Sequence, residues 1–332
     1  MTRLLVVAGI LGLAGQAFRV VARPANVSLV QRSAYLMGTR ADLSAWAASR
    51  TEGLARLDRA LAALEETERA LSTWRDTSQL ASLNRAALQT PWQADPALCA
   101  LLATVVDWDR ASSGAFDPAI GSLIDAWALR GAGRVPSDAE LAQARAASGL
   151  RNFALDRARC TVQRRGPAIM DEGAFGKGEA LDRAAPHLAG VAWTINLGGQ
   201  VSVGGRPPGR DAWTVAVADP TDRHHVFLTV RLEAGSLATS GGSERDLVAD
   251  GRRIGHILDP RTGRPAEFQG SVTVWHERGL AADILSTTLY VLGPDEGLAW
   301  AEARGVAACF LEVDLDGRVQ TSMTKAFRRL LG

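Results

Sequence analysis

Val191-Ala192-Trp193-Thr194-Ile195-Asn196-Leu197-Gly198-Gly199-Gln200-Val201-Ser202-Val203 decides the fold class of this chain. An apolar run reaches Asn196, a Gly-Gly turn follows, and a second apolar run covers Val201 to Val203. Short apolar runs joined by glycines read as strands folded back on one another. Further on, Trp213 to Val217 and Val226 to Leu232 alternate or run apolar, set off by Pro207-Pro208-Gly209. A further strand is predicted over about 271–275 and a helix over about 280–292.

Toward the amino terminus the periodicity changes. Residues 39 to 46 alternate as a strand does. Leu54, Leu57, Leu61 and Leu64 then recur at helical spacing to about Ala70. Leu98, Leu101, Leu102, Val105 and Val106 form another apolar stripe. Ser137 and Glu140 make a capping box for a helix over about 138–148. Short strands are predicted around 152–156, 159–164 and 167–171, and a helix over about 176–188. Helices and strands neither alternate strictly nor segregate. The fold class is therefore α+β, with mixed helices and mostly antiparallel sheets.

The 332 residues carry 37 basic and 36 acidic side chains. That balance implies no nucleic-acid partner. Only two lysines occur, Lys177 and Lys325, so a lysine kept between glycines stands out. Cys99, Cys160 and Cys309 lie far apart with no C-x-x-C spacing. They read as small core residues, not as a zinc site or a disulfide framework. Leu4 to Phe18 is apolar apart from Gln16 and is flanked by Arg3 and Arg19. The run is short for a membrane span and fits the apolar region of an export signal. Residues 1–32 are expected to be a signal peptide or membrane anchor with a short linker, placing 33–332 outside the cytoplasm, in the periplasm or tethered to the inner membrane. No Cys follows the apolar run, which argues against a lipid-modified anchor.

Several motifs carry chemistry. In Gly255-His256-Ile257-Leu258-Asp259-Pro260-Arg261-Thr262-Gly263, a His and an Asp three residues apart lead into a tight turn. Asp283 and Thr287 stand at i and i+4 with Ser286 beside them, so one helix face offers hard oxygen ligands. Asp171-Glu172-Gly173-Ala174-Phe175-Gly176-Lys177-Gly178 enters a helix through a glycine-rich turn, where backbone N–H groups favour anions. It is neither G-x-G-x-x-G nor G-x-x-x-x-G-K-[ST], so dinucleotide-fold and P-loop readings both fail. A base, an anion-favouring turn and an oxygen-rich metal site suggest phosphate-ester chemistry.

Met37-Gly38-Thr39, Leu71-Ser72-Thr73-Trp74, Phe116-Asp117-Pro118-Ala119-Ile120-Gly121, Asn196-Leu197-Gly198-Gly199 and Ala238-Thr239-Ser240-Gly241 complete an ordered series with these. Over residues 33 to 310 the series resembles the FAD:protein FMN transferase family, the ApbE flavin transferases. The resemblance implies an ApbE-like fold and a 33–332 catalytic domain. It implies an Mg²⁺-dependent transfer of FMN from FAD to a Ser or Thr hydroxyl of an acceptor protein, with AMP released. Asp283, Thr287, Ser286 and the Ala174 carbonyl match the family's Mg²⁺ ligands, although some members carry Asp where this chain has Ser286. Met37, Trp74, Ala115, Phe116, Asp117, Asp171, Lys177 and Ile257 match its FAD contacts, Trp74 as a platform for the isoalloxazine. His256 is the expected general base, with Asp259 orienting or replacing it. Glu179 stands where an aromatic is common, and Gly242-Ser243 where the family tends to have Asp and Tyr. The acceptor implied is an FMN-binding domain of a membrane redox complex. Two other readings share these residues: an FAD pyrophosphatase giving FMN and AMP, and a non-catalytic FAD-binding or flavin-delivery protein.

Overall fold

The computed structural model describes residues 27–331 apart from 243–245 and 250. In chain order it runs β1 (Ser28–Leu36), β2 (Thr39–Ala47), α1 (Arg50–Leu71), α2 (Gln79–Arg85), β3 (Pro91–Gln93), α3 (Pro96–Ala111), α4 (Gly121–Ala126) and α5 (Asp138–Ala146). Next come β4 (Phe153–Asp156), β5 (Thr161–Arg164), α6 (Gly176–Ala184), β6 (Ala192–Leu197), β7 (Gln200–Gly204), β8 (Trp213–Ala218), β9 (Val226–Leu232) and β10 (Gly235–Gly241). The chain ends with β11 (Leu247–Ala249), β12 (Arg252–Ile254), β13 (Gly270–His276), α7 (Gly279–Ala303), β14 (Ala307–Val313), β15 (Val319–Met323) and α8 (Lys325–Arg328).

One eight-stranded sheet, ordered β1-β2-β6-β7-β10-β13-β14-β15, organises the molecule. All its neighbours pair antiparallel, including the β6–β7 hairpin closed by Gly198 and Gly199 at positive φ. Strand alternation sorts side chains between two cores. On β14, Ala308 and Phe310 face the helices with Val272, Val274, Leu285 and Leu289. Ala307, Cys309 and Leu311 face the other side with Trp213, Val230 and Phe327. Cys309 is fully buried there, and burial pushes its thiol up to about 12. α1 and α6 cover β1, β2 and β6 through Leu57, Leu64, Leu181, Leu43 and Ile195.

α7 lies between the sheet and a helical layer, which explains why its first half is apolar all round. Leu280 and Ile284 pack toward α3 and Phe175, while Ala281, Leu285 and Leu289 pack toward the sheet. The helix expected to end near 292 does break there, at Gly293 with φ 73° followed by Pro294, and then resumes to Ala303. Other differences from the sequence reading have equally local causes. Strand β1 begins at Ser28, inside the stretch assigned to the linker, because its whole length pairs with β2. Residues 167–171 form no strand. Asp171 N–H instead bonds the Pro118 carbonyl and the Ile169 carbonyl accepts from Gly121 N–H, so the segment is held by a loop. The helix expected to 188 ends at Ala184 and tightens into a 3₁₀ turn over Ala185–Leu188 that contains Pro186. The apolar amino-terminal run lies outside the described residues. Among those described, no helix is long and apolar enough to cross a membrane.

Two of the cysteines are a correction, while Cys309 is the core residue expected. Cys99 on α3 and Cys160 before β5 form a disulfide across a Cα separation of 5.4 Å, stapling the small β3-β5-β4 sheet to α3. Sequence spacing could not show this, because the 61-residue separation is closed only by the β4–β5 hairpin folding back. Closing a loop of that length restricts the unfolded chain, and native disulfides contribute roughly 2–4 kcal/mol in this way. Cys99→Ser is therefore expected to lower the denaturant midpoint. Unlike the wild-type midpoint, the variant's should not respond to added reductant; equal response in both proteins would show that the bridge is absent.

Candidate active site

The site forms where α6 and α7 begin. A Cβ at Gly178 would overlap the Gly279 carbonyl, so only glycine lets the two helices cross this closely. Each helix then caps the other. Asp283 of α7 accepts the Gly178 N–H at 2.9 Å, and Asp182 of α6 accepts the Gly279 N–H at 2.5 Å and the Leu280 N–H at 3.2 Å. Carboxylates at helix starts also meet the positive end of the helix dipole.

Asp283 is 4% exposed, and its other oxygen lies 3.2 Å from Lys177 Nζ. One turn on, the Ser286 and Thr287 hydroxyls meet Ser240 Oγ of β10 at 2.9 and 3.2 Å. Ser286 Oγ also lies 2.9 Å from the Asp283 carbonyl oxygen. Ala174 sits in the turn just before α6, its side chain packed against the core that holds Phe175, Leu280 and Ile284. Asp283, Ser286 and Thr287 are thus brought to one helix junction with Ser240 added, and Ala174 lies two residues before α6. Among the described residues no group of three or more His, Cys, Asp or Glu is placed to share an ion. One carboxylate with hydroxyl and carbonyl oxygens is a hard donor set of the kind Mg²⁺ takes alongside substrate phosphates and water.

A ring platform flanks this junction. Trp74 is 71% exposed, unlike the buried aromatic that usually follows a leucine-rich helix, and Arg130 lies 5.2 Å from its ring centroid. Arg130 also donates to Asp171 at 2.6 Å and to the Thr73 hydroxyl at 3.1 Å. The Thr73 N–H bonds one oxygen of Glu172, whose carboxyl is raised by burial and then by Asp171. Met37 occupies the β1–β2 turn at φ 51°, its N–H held by Glu68, and its methyl lies beside Gly176. Arg130 thus ties Trp74 to Asp171, and Met37 meets the start of α6 next to Lys177. Glu179 is buried and bonded to Arg183 at 2.6 Å.

A second region adjoins the 256–263 turn. Asp109, Arg110, Ser113, Gly114, Asp117, Arg151, Pro260 and Arg261 line a cleft of about 420 Å³. Asp117 accepts the N–H groups of Ala119 and Leu150, and burial raises its carboxyl. Asp109 is pushed up to about 6 by burial and then by Asp117. Ala115 and Phe116 are core side chains, so any contact they make with a ligand is through the main chain. Ile257 packs half-buried in the same cluster as Ala115.

Asp259 does not orient His256. Its carboxylate is gripped by Arg261, with Nε at 3.0 Å and N–H at 2.8 Å, inside the turn that Gly263 closes at φ 75°. Among the described residues, the carboxylate bonded to His256 is Asp246, 3.0 Å from Nδ1. β11 and β12 pair so that Asp246 and His256 close the open end of that hairpin. The Asp250-Gly251 dipeptide is a hairpin signal that could have located this pairing. Nothing in the sequence marks Arg130.

Fold and site define a class: an eight-stranded antiparallel sheet backed by helices, with hard oxygen donors at a helix junction beside an exposed aromatic platform. The ApbE family model matches residues 37–310. The FAD:protein FMN transferase of Klebsiella pneumoniae is 30% identical over 282 residues, covering 81% of this chain and 80% of that protein. The crystal structure of the ApbE protein of Thermotoga maritima superposes with a TM-score of 0.84 at 26% identity, over 92% of this chain and 100% of that one. The flavinyl transferase ApbE of Pseudomonas stutzeri in its apo form gives 0.82 at 29% identity, over 92% and 98%. The chain belongs to the ApbE family.

Proposed function

We propose that this chain is an FAD:protein FMN transferase that moves FMN from FAD onto a Ser or Thr hydroxyl of an acceptor protein and releases AMP. The observation that carries the proposal is the convergence of Lys177, Asp283, Ser286, Thr287 and Ser240 beside the Trp74 platform. The names of the ApbE relatives support the same reading.

In the proposed reaction the acceptor oxygen forms a bond to the FMN-side phosphorus while the pyrophosphate bond to the AMP side breaks. The hydroxyl proton passes to His256, and the negative charge leaves on AMP. Trp74 offers a flat face to the flavin ring. Lys177 at the start of α6 offers its ammonium to the pyrophosphate oxygens. The residues that would hold Mg²⁺ are Asp283, Thr287, Ser286 and the Ala174 carbonyl. Bound there, the ion would neutralise charge on the phosphate oxygens. Incubating the protein with FAD, Mg²⁺ and an FMN-binding acceptor domain should raise the acceptor's mass by one FMN. Free FMN with an unmodified acceptor would instead identify water as the acceptor and the protein as a pyrophosphatase.

FAD binding without metal and FAD cleavage only with Mg²⁺ or a similar hard cation are the expected behaviour, because the ring platform and the oxygen cluster are separate features. Undiminished AMP release in EDTA would overturn the metal requirement. The proposal extends to an exported protein acting on the FMN-binding domain of a membrane redox complex. The apolar run after Arg3 and the Cys99–Cys160 disulfide support export, since such bridges persist in oxidising compartments.

A further inference from the structure

We infer that Asp246 is the residue that positions His256 for proton transfer, and that Gly242 is glycine so that the Asp246 carboxylate can reach it. The inference rests on the reading of His256 as the general base. Asp246 stands ten residues before His256, outside the family-type motifs, and only the β11–β12 hairpin brings the two together.

Four observations carry it. First, Asp246 Oδ1 lies 3.0 Å from His256 Nδ1 and accepts the His256 backbone N–H at 3.1 Å. One oxygen thus fixes both the ring and the main chain that bears it. Second, Oδ2 accepts Arg253 Nε–H at 2.9 Å, which holds the carboxylate plane from the opposite side. Third, the Asp246 side chain is only 10% exposed, so its hydrogen bonds are little diluted by water. Fourth, a Cβ at Gly242 would stand 2.9 Å from Asp246 Oδ2 and 3.0 Å from the Tyr290 hydroxyl. The carboxylate fills the space that a side chain at 242 would need.

The chemistry follows from the donors. A carboxylate that already receives the His256 backbone N–H and the Arg253 Nε–H has only acceptors to offer, so Nδ1 of the neutral imidazole carries the hydrogen. Nε2 is then the nitrogen with the lone pair, the form a base needs to accept a proton from a Ser or Thr hydroxyl. As the ring becomes imidazolium, the adjacent carboxylate stabilises the new charge. The Tyr290 hydroxyl near this carboxylate donates to the Phe268 carbonyl at 2.9 Å, and burial and then Asp246 push it up to about 12, so it stays neutral. Tyr290 lies one turn beyond Ser286 and Thr287 on α7, which connects the hairpin to the helix bearing the oxygen cluster.

The test uses the full chain and four variants. In Asp246→Asn the Arg253 Nε–H draws the amide oxygen to the Oδ2 position, which turns the NH₂ toward His256 Nδ1 and its backbone N–H and favours the opposite tautomer. The variant is expected to lower kcat by roughly 10²–10⁴-fold, the range a positioned general base contributes, with KM for FAD little changed. Asp246→Glu should restore part of the rate, limited by its extra length against Gly242. Gly242→Ala keeps every chemical group and should also lower kcat by displacing the carboxylate. ¹⁵N spectra of histidine-labelled protein should show His256 with hydrogen on Nδ1 in the wild type and a mixed or reversed tautomer in Asp246→Asn. The signal is assigned by its loss in His256→Gln. A wild-type tautomer in Asp246→Asn, or a rate within about threefold of wild type while His256→Gln is crippled, overturns the inference and leaves the base assignment standing. A His256→Gln rate near wild type removes both.

Discussion

Asp283→Ala is expected to reduce FMN transfer and AMP release to background while the protein still binds FAD. The carboxylate lies in the oxygen cluster and not on the ring platform, so its contribution falls on the charge that builds as phosphorus is transferred. Interactions that strengthen in the transition state show in rate more than in ground-state binding. Asp283 has a second role that the experiment must separate. Its removal leaves the buried Gly178 N–H without an acceptor, a change that costs on the order of 1–3 kcal/mol, and leaves Lys177 without its anion. Asp283→Asn retains an acceptor for Gly178 and should be the more stable variant, yet nearly as inactive. FAD binding followed by flavin fluorescence, with thermal melts of both variants, distinguishes lost chemistry from a lost fold. Near wild-type transfer by either variant would remove Asp283 from the mechanism.

His256→Ala is expected to slow transfer by roughly 10²–10⁴-fold, the yield of a positioned general base. A Ser or Thr hydroxyl is a poor nucleophile at neutral pH and must lose its proton as it attacks. The rival assignment makes Asp259 the base, and the structure weighs against it: Arg261 holds both carboxylate oxygens, at 3.0 and 3.2 Å from Nε. Asp259→Asn should loosen the 259–263 turn and act mainly on stability. Transfer rates at saturating FAD for both variants decide between them. A larger rate loss in Asp259→Asn, or a His256→Ala rate within about threefold of wild type, would shift the base to Asp259.

Local signals in the sequence carried far into the fold. The Gly198-Gly199 hairpin, the leucines of α1 and the Ser137–Glu140 capping box are interactions between near neighbours, and each appears where its residues place it. The Asp283–Thr287 spacing likewise brings two oxygen donors to one side of a helix. What the sequence hid depends on distant segments meeting. The Cys99–Cys160 bridge, the Arg130 contacts to Trp74 and Asp171, and the Asp246–His256 pair all close over loops or hairpins. The His256–Asp259 spacing misled for a physical reason: a tight turn directs the two side chains apart, and an arginine two residues on is nearer to the carboxylate. Phe116 was legible as a motif residue but not as a core side chain, because a binding loop and a packed loop can share one sequence.

The mutual capping of α6 and α7 has a consequence for motion. The Gly178 amide is held by a carboxylate on α7, and the Gly279 and Leu280 amides by a carboxylate on α6. Neither helix start can fray without releasing the other, so these amides should exchange their hydrogens with solvent at matched rates, as one cooperative opening unit. A ligand that tightens its grip on either end would then slow exchange at both. Deuterium uptake at three backbone positions would report occupancy of the site before any chemistry takes place.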